Sequence, residues 1–250
     1  MLNSSSTKIR LDRLLIDRGV AASREKAQAL ILAGQVLVGN QKVEKCGASV
    51  EAGANVRILG EAQKYVSRAG LKLEGALGHF RVDPAGRVCM DVGASTGGFT
   101  QCLLDRGAAK VFAVDAGTNQ LDWRIRQDAR VVVMEKTNAR HLRPGQLGEC
   151  VALVTMDVSF ISATIIVPAL PPFMNPGAEA LILVKPQFEV GRGRVGKGGI
   201  VRDPDLRREA VEKVARSMQQ TGFQVSGSYE SPLPGAEGNL EFFVHAVWKR

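Results

Sequence analysis

Val88-Cys-Met-Asp-Val-Gly-Ala-Ser-Thr-Gly-Gly-Phe-Thr100 begins as a largely apolar run and turns, through glycines, into a helix-forming segment. That is how a strand of a parallel sheet hands over to its covering helix, and such sheets bind ligands at the carboxyl ends of their strands. Gly93, Gly97 and Gly98 let the backbone come close to a ligand there. A dinucleotide fingerprint would need glycine at 93, 95 and 98, but position 95 is Ser95. A phosphate-cradling loop would need Gly-Lys-Ser/Thr after its glycines, and the stretch has none. The turn points away from NAD and ATP.

Further apolar runs, Val111–Val114, Val131–Met134, Leu153–Met156 and Leu181–Val184, alternate with helix-like segments. Buried runs separated by helices predict an α/β, Rossmann-like domain with a mostly parallel sheet covered on both faces. The last runs, Phe223–Val225 and Phe242–Val247, are separated by a Gly/Pro/Ser-rich loop and predict a terminal antiparallel pair. Asp115 ends the second run in Lys-Val-Phe-Ala-Val-Asp. A carboxylate there can accept both hydroxyls of a cofactor ribose. A cofactor with a ribose and no phosphate, S-adenosylmethionine, suits that pattern. Val158–Ala178 carries no charge and is long enough to span a bilayer, but Pro168, Pro171, Pro172 and Pro176 break it. A helix that follows the fourth strand and stops at the first proline is the expectation.

The first sixty residues read differently. Leu11, Leu14 and Leu15 sit at helical spacing among Arg10, Arg13 and Arg18; Ser23 can cap a second helix with Ala27, Leu30 and Ile31 on its apolar face. Val36–Val38, the turn Gly39-Asn40 and Val43 predict a hairpin, and Val56–Leu59 a further strand. The segment Arg10–Asn40 resembles the S4-type RNA-binding module, a small α+β domain. Its arginines can neutralise phosphates, which gives affinity without base readout. Arg10, Arg24 and Lys45 are the candidate RNA contacts. The expected layout is an RNA-binding domain over 1–60, a linker over 61–66 and a methyltransferase domain over 67–250.

Charge supports a polyanionic partner. The net charge is +8 and the pI near 9.6. Nine Lys/Arg against five Asp/Glu place +4 of it in the first sixty residues, so the short module is the more basic. The four cysteines form no C-x-x-C pair, and three lie in apolar runs, where a reduced thiol is usual. Neither a metal site nor a disulfide framework is expected. Met1-Leu-Asn-Ser-Ser-Ser-Thr-Lys lacks the apolar core of a secretory signal, so a cytoplasmic location is expected.

The fourth run ends Met156-Asp157-Val-Ser-Phe160. An Asn/Asp-Pro-Pro-aromatic clamp for a base nitrogen is missing there, and so is a cysteine nucleophile for a pyrimidine carbon. Lys72, Asp157, Lys185 and Glu241 are read at or beside strand ends, and a lysine directly after a buried run usually has a carboxylate partner. Together they resemble the Lys-Asp-Lys-Glu tetrad of ribose 2′-O-methyltransferases related to FtsJ. Across both modules the chain resembles the TlyA family of rRNA cytidine-2′-O-methyltransferases, often called haemolysins. The shared stretches are Ser67–Leu73, Asp91–Thr100, Asp105–Ala108, Thr137–Arg140, Asp157–Ser162, Val184–Gly191 and Pro232–Gly235.

The resemblance implies Lys72, Asp157, Lys185 and Glu241 as catalytic. It implies Asp91, Gly93, Ser95, Gly97, Gly98, Asp115, Asn138 and Ala139 as cofactor contacts, and ribosomal RNA or an assembled subunit as the partner. Longer family members act on both subunits, so a chain ending at Arg250 is expected to favour the large one. Lys185 would orient the 2′-hydroxyl and stabilise its alkoxide, or take its proton; the sequence leaves both open. Two rivals are weighed against this reading. A non-catalytic RNA-binding protein would not need the cofactor turn and tetrad. A membrane-active haemolysin would need a spanning or amphipathic segment.

Overall fold

The computed structural model describes residues 8–39, 41–59, 64–143 and 145–249. Asn40 of the expected hairpin turn and residues 61–63 of the expected linker lie outside them. The chain divides into two compact units, Met1–Gln63 and Lys64–Arg250.

The smaller unit runs β1 (Lys8–Arg10), α1 (Leu11–Asp17), α2 (Arg24–Leu32), β2 (Val36–Val38), β3 (Gln41–Lys42), β4 (Ser49–Glu51) and β5 (Val56–Ile58). Ser23 caps α2, its hydroxyl accepting from the Lys26 N–H at 3.3 Å. Leu11, Leu15, Ala27, Ile31 and Val36 make a core of its own. β2 pairs antiparallel with β3 and β5, as the hairpin reading requires. β1 and β4 also pair, with Ile9 opposite Val50. Each has one apolar residue between two polar ones, too short a pattern to show strand periodicity.

The larger unit holds α3 (Ala69–Phe80), β6 (Val88–Val92), α4 (Gly98–Asp105), β7 (Lys110–Val114), α5 (Trp123–Arg126), β8 (Val131–Met134) and β9 (Val151–Met156). It continues with β10 (Met174–Val184), α6 (Pro186–Glu189), α7 (Pro204–Thr221), β11 (Phe223–Glu230) and β12 (Phe242–Trp248). The sheet order is β11-β12-β10-β9-β6-β7-β8. β10, β9, β6, β7 and β8 are parallel; β12 runs antiparallel to β10, and β11, antiparallel to β12, runs in the same sense as β10. Alternate residues of one strand bury on opposite faces: Met90 and Val92 join one core, Cys89 the other. Two covered faces explain why the strands read as continuous apolar runs. Cys89 and Cys102 are buried, Cys46 is half-buried and Cys150 exposed.

The structure departs from the sequence reading in four places. Lys72 lies inside helix α3, not at a strand end. Between β9 and β10 there is no α-helix; three 3-10 turns, Ala163–Ile165, Val167–Ala169 and Pro171–Phe173, take its place. The prolines remove the donors a longer helix needs. β10 begins seven residues before the apolar run at Leu181: Met174 already pairs with Val151, and a register shift follows before Glu179 pairs with Leu153. Finally, Lys64, Tyr65 and Val66 belong to the larger unit. The Tyr65 ring is buried against Gly70, and the Val66 N–H donates to Gln101 Oε1 at 2.7 Å. Tyr65→Ala should therefore destabilise the larger unit by about 3 kcal/mol, the low end for losing a buried aromatic. Urea unfolding checks this, and an unchanged midpoint would return Tyr65 to the linker.

Candidate active site

The chain enters the sheet at β6, moves outward through β7 to β8, then crosses back to β9 beside β6. The loops after β6 and β9 therefore leave in different directions and open a crevice at the strands' carboxyl ends, where doubly wound sheets place ligands. A cavity of about 410 Å³ lies there, with Gly93, Ser95, Asp115, Asn138, Ala139 and Asp157 in its wall. The volume falls in the range of small-molecule sites.

Six of the sequence candidates thus meet at one cavity. Asp115 follows β7, and its carboxylate accepts the Ser95 N–H at 2.8 Å and the Gly117 N–H at 2.6 Å. Ser95, at φ 47°, turns its amide toward that carboxylate. Asn138 caps a 3-10 turn, accepting from the Arg140 N–H at 3.1 Å. Asp91, Gly97 and Gly98 are not in the wall. The side chain of Asp91 is wholly buried below the turn, where it accepts from Thr100 Oγ1 at 2.7 Å and Thr155 Oγ1 at 3.2 Å. It ties β6, β9 and α4 together beneath the crevice.

A second cavity of about 300 Å³ shares Ser159 and Phe160 with the first and adds Lys185, Phe188, Glu237 and Glu241. The four charged candidates form two ion pairs around it. Lys72 Nζ donates to Glu241 Oε2 at 2.6 Å, both side chains buried. Lys185 Nζ lies 2.5 Å from Asp157 Oδ1, beside that oxygen and off the hydrogen-bonding direction, and gives its directed bond to Ser159 Oγ at 2.9 Å. Breaking a buried pair by removing one partner costs about 3–5 kcal/mol. Lys185 is therefore a cleaner probe of chemistry than Lys72.

Sequence reasoning missed the aromatic lip between the cavities. Phe160 is 92% exposed, sits at φ 65° and has its ring centroid 5.3 Å from that of Phe188. A bulky residue at positive φ, presented to solvent at a crevice, marks a functional site better than a folding need. Its sequence signal was only its place after Asp157. In the smaller unit, Arg10 and Arg24 converge on one buried carboxylate, Asp12, while Lys45 is exposed and outside that group.

Strand order and crevice put the larger unit among the doubly wound α/β folds that bind nucleotide-like cofactors. The chain belongs to the FtsJ-like methyltransferase family, whose model matches residues 65–248, and an S4 domain matches residues 9–56. It is 48% identical, over 95% of its own length and 89% of the relative's, to the 16S/23S rRNA (cytidine-2′-O)-methyltransferase TlyA of Mycobacterium tuberculosis. It is 41% identical to Hemolysin A of Brachyspira hyodysenteriae, over 96% of this chain and all of that one. A solved structure described as a hemolysin from Streptococcus thermophilus superimposes with TM-score 0.75 at 40% identity, covering 98% of this chain and 90% of that one.

The buried carboxyl beneath the crevice has a measurable signature. Burial pushes Asp91 up to about 7, against the opposing bonds from Thr100 and Thr155. In the unfolded chain it titrates near its ordinary value, about 3.9. A carboxyl raised on folding costs nothing at acid pH and disfavours the native state increasingly as pH climbs toward its folded value. Asp91→Asn has no such titration. Its stability relative to the wild type should rise between about pH 4 and pH 7 and level off above; a flat difference in urea midpoints would show that the carboxyl is not raised.

Proposed function

We propose that this protein transfers a methyl group from S-adenosylmethionine to the ribose 2′-hydroxyl of a cytidine in ribosomal RNA. The observation that carries the reading is Lys185, held by Asp157 and Ser159 where a cofactor-sized cavity meets a second, open one. S-adenosylmethionine fits the first cavity chemically. Asp115 offers a carboxylate to ribose hydroxyls, and among the described residues the wall around Gly93 carries no basic group to cradle a phosphate. When bound it supplies a methyl group already activated as an electrophile, so the protein needs to position the acceptor oxygen and manage its proton.

In this reading the acceptor nucleotide enters the second cavity. Phe160 and Phe188 offer aromatic faces on which an unstacked base can rest. Lys185 Nζ orients the 2′-oxygen and stabilises the alkoxide as it develops. Asp157 holds that ammonium in place, and Glu241, backed by Lys72, faces the same cavity. The relatives named as cytidine-2′-O-methyltransferases support the substrate class, and the S4 domain supports an RNA partner. The haemolysin reading has relatives' names in its favour, but among the described residues no helix is long and apolar enough to cross a membrane.

Naked rRNA, separated subunits and whole ribosomes, incubated with radiolabelled cofactor, should yield a methylated nucleoside whose added mass stays with the sugar after glycosidic cleavage. Mass on the base would overturn the tetrad roles. Lys185→Ala should abolish transfer yet bind the cofactor with near-normal affinity by calorimetry, since its side chain faces the acceptor cavity. Near-normal transfer by that variant would remove Lys185 from the mechanism.

A further inference from the structure

The smaller unit contains a buried anion at the centre of an exposed cationic surface. Asp12 is 1% exposed, on α1. Its Oδ2 accepts from Arg10 Nη2 at 2.8 Å, Gln28 Nε2 at 3.2 Å and Arg24 Nε at 3.3 Å. Its Oδ1 accepts from Arg10 Nε at 3.0 Å and from the Arg13 N–H at 3.0 Å. The partners are not buried with it: the Arg10 and Arg24 side chains are 53% and 62% exposed. A shallow cavity of about 320 Å³ lies over the group, with Arg10, Arg13, Asp17 and Arg24 at its edge. Arg13 lies 3.8 Å from Asp17.

A surface carboxylate near an RNA-binding face repels phosphates, but a buried one bonded to two guanidinium groups does something else. Each guanidinium has five donors, and Asp12 takes two from Arg10 and one from Arg24. The others remain for a ligand. Holding both groups on one carboxylate removes rotamer freedom that would otherwise be lost on binding. The bonds from Arg10, the largest influence, hold the Asp12 carboxyl well below the usual carboxylate range, so it is charged at neutral pH.

We propose that Asp12 is the positioning residue of a single-phosphate clamp, fixing the Arg10 and Arg24 guanidinium groups side by side to grip one backbone phosphate of RNA. The proposal rests on the reading of this unit as RNA-binding and adds the carboxylate that organises it. It reverses the sign expected from charge alone. Removing a negative charge beside a polyanion should strengthen binding, whereas removing this one should weaken it, because both arginines lose their anchor.

The test uses the full chain and a labelled ribosomal RNA transcript, with binding measured over a salt series. Asp12→Asn keeps the shape of the side chain and should bind several-fold more weakly. The log–log salt slope should flatten by roughly 0.7–0.9, the value of one phosphate contact. In Arg10→Ala/Arg24→Ala the same loss should occur, and adding Asp12→Asn should change nothing more. Circular dichroism and urea unfolding report whether Asp12→Asn still folds. If it does not, Arg10→Lys/Arg24→Lys decides, since it keeps every charge, leaves Asp12 in place and loses only the planar fork; it too should bind several-fold more weakly. Unchanged or tighter binding by folded Asp12→Asn, or wild-type binding by the lysine pair, overturns the clamp. If Arg10→Ala/Arg24→Ala itself binds like the wild type, the RNA-binding reading of this face falls with it.

Discussion

The carbonyl oxygen of Asp157 occupies the space a side chain on residue 93 would need, so β6 and the turn after β9 can approach only because residue 93 is glycine. At φ 84° that glycine also takes a backbone conformation that other residues adopt at a cost. The Asp157 N–H continues the ladder onto the Val92 carbonyl at 2.9 Å, which ties the two strand ends together at the point where the sheet reverses direction. A second close approach works the same way. A side chain at Gly98 would collide with Ser67 and Gly70, so the absence of one lets the start of α3 settle on α4. α3 then carries Lys72 to Glu241, 169 residues further along the chain. Two missing side chains thus set the distances on which the charged site depends.

The four charged side chains are not equivalent in this setting. Lys72 and Glu241 are both withdrawn from water, and a buried pair contributes little net stability while making the loss of either partner expensive. Lys185 and Asp157 keep a little more solvent, and the lysine lies beside the carboxylate while donating to the Ser159 hydroxyl. A tightly satisfied pair thus sits deeper, and a somewhat more open pair lies at the wall of the second cavity, which Lys185 lines.

The arch carrying Phe160 is tied at both ends to the segment that carries Lys185. One tie is the Lys185–Asp157 pair. The other is Glu189, buried at the end of α6, which accepts from Ser162 Oγ at 2.5 Å and the Ala163 N–H at 2.7 Å. Lys213 from α7 neutralises Glu189 at 3.1 Å. The loop therefore has fixed ends and an exposed aromatic between them. Backbone strain at one residue is tolerable when its neighbours are over-determined in this way.

Much of this was legible in one dimension. Apolar runs at Val88, Val111 and Leu153 announced parallel strands because burial on both faces leaves no alternation to hide them, and the edge run at Val131 followed the same spacing although Val132 is exposed. The glycine turn, and Asp115 one strand later, pointed to the crevice in which the larger cavity lies, because such sheets open their crevices at strand ends. What the chain alone did not show arose from contacts between distant segments. Lys72 looked like a strand-end residue because its partner lies across the fold. Tyr65 looked like linker because its packing on Gly70 is tertiary. Phe160 and Asp12 carried no local signal, since exposure at a crevice and burial beneath two arginines are properties of surroundings. Local order and periodicity determined the elements and the family of fold; which charges meet, and which aromatic faces outward, was decided only when the sheet brought strand ends together, because those energies depend on distance in space and not on spacing along the chain.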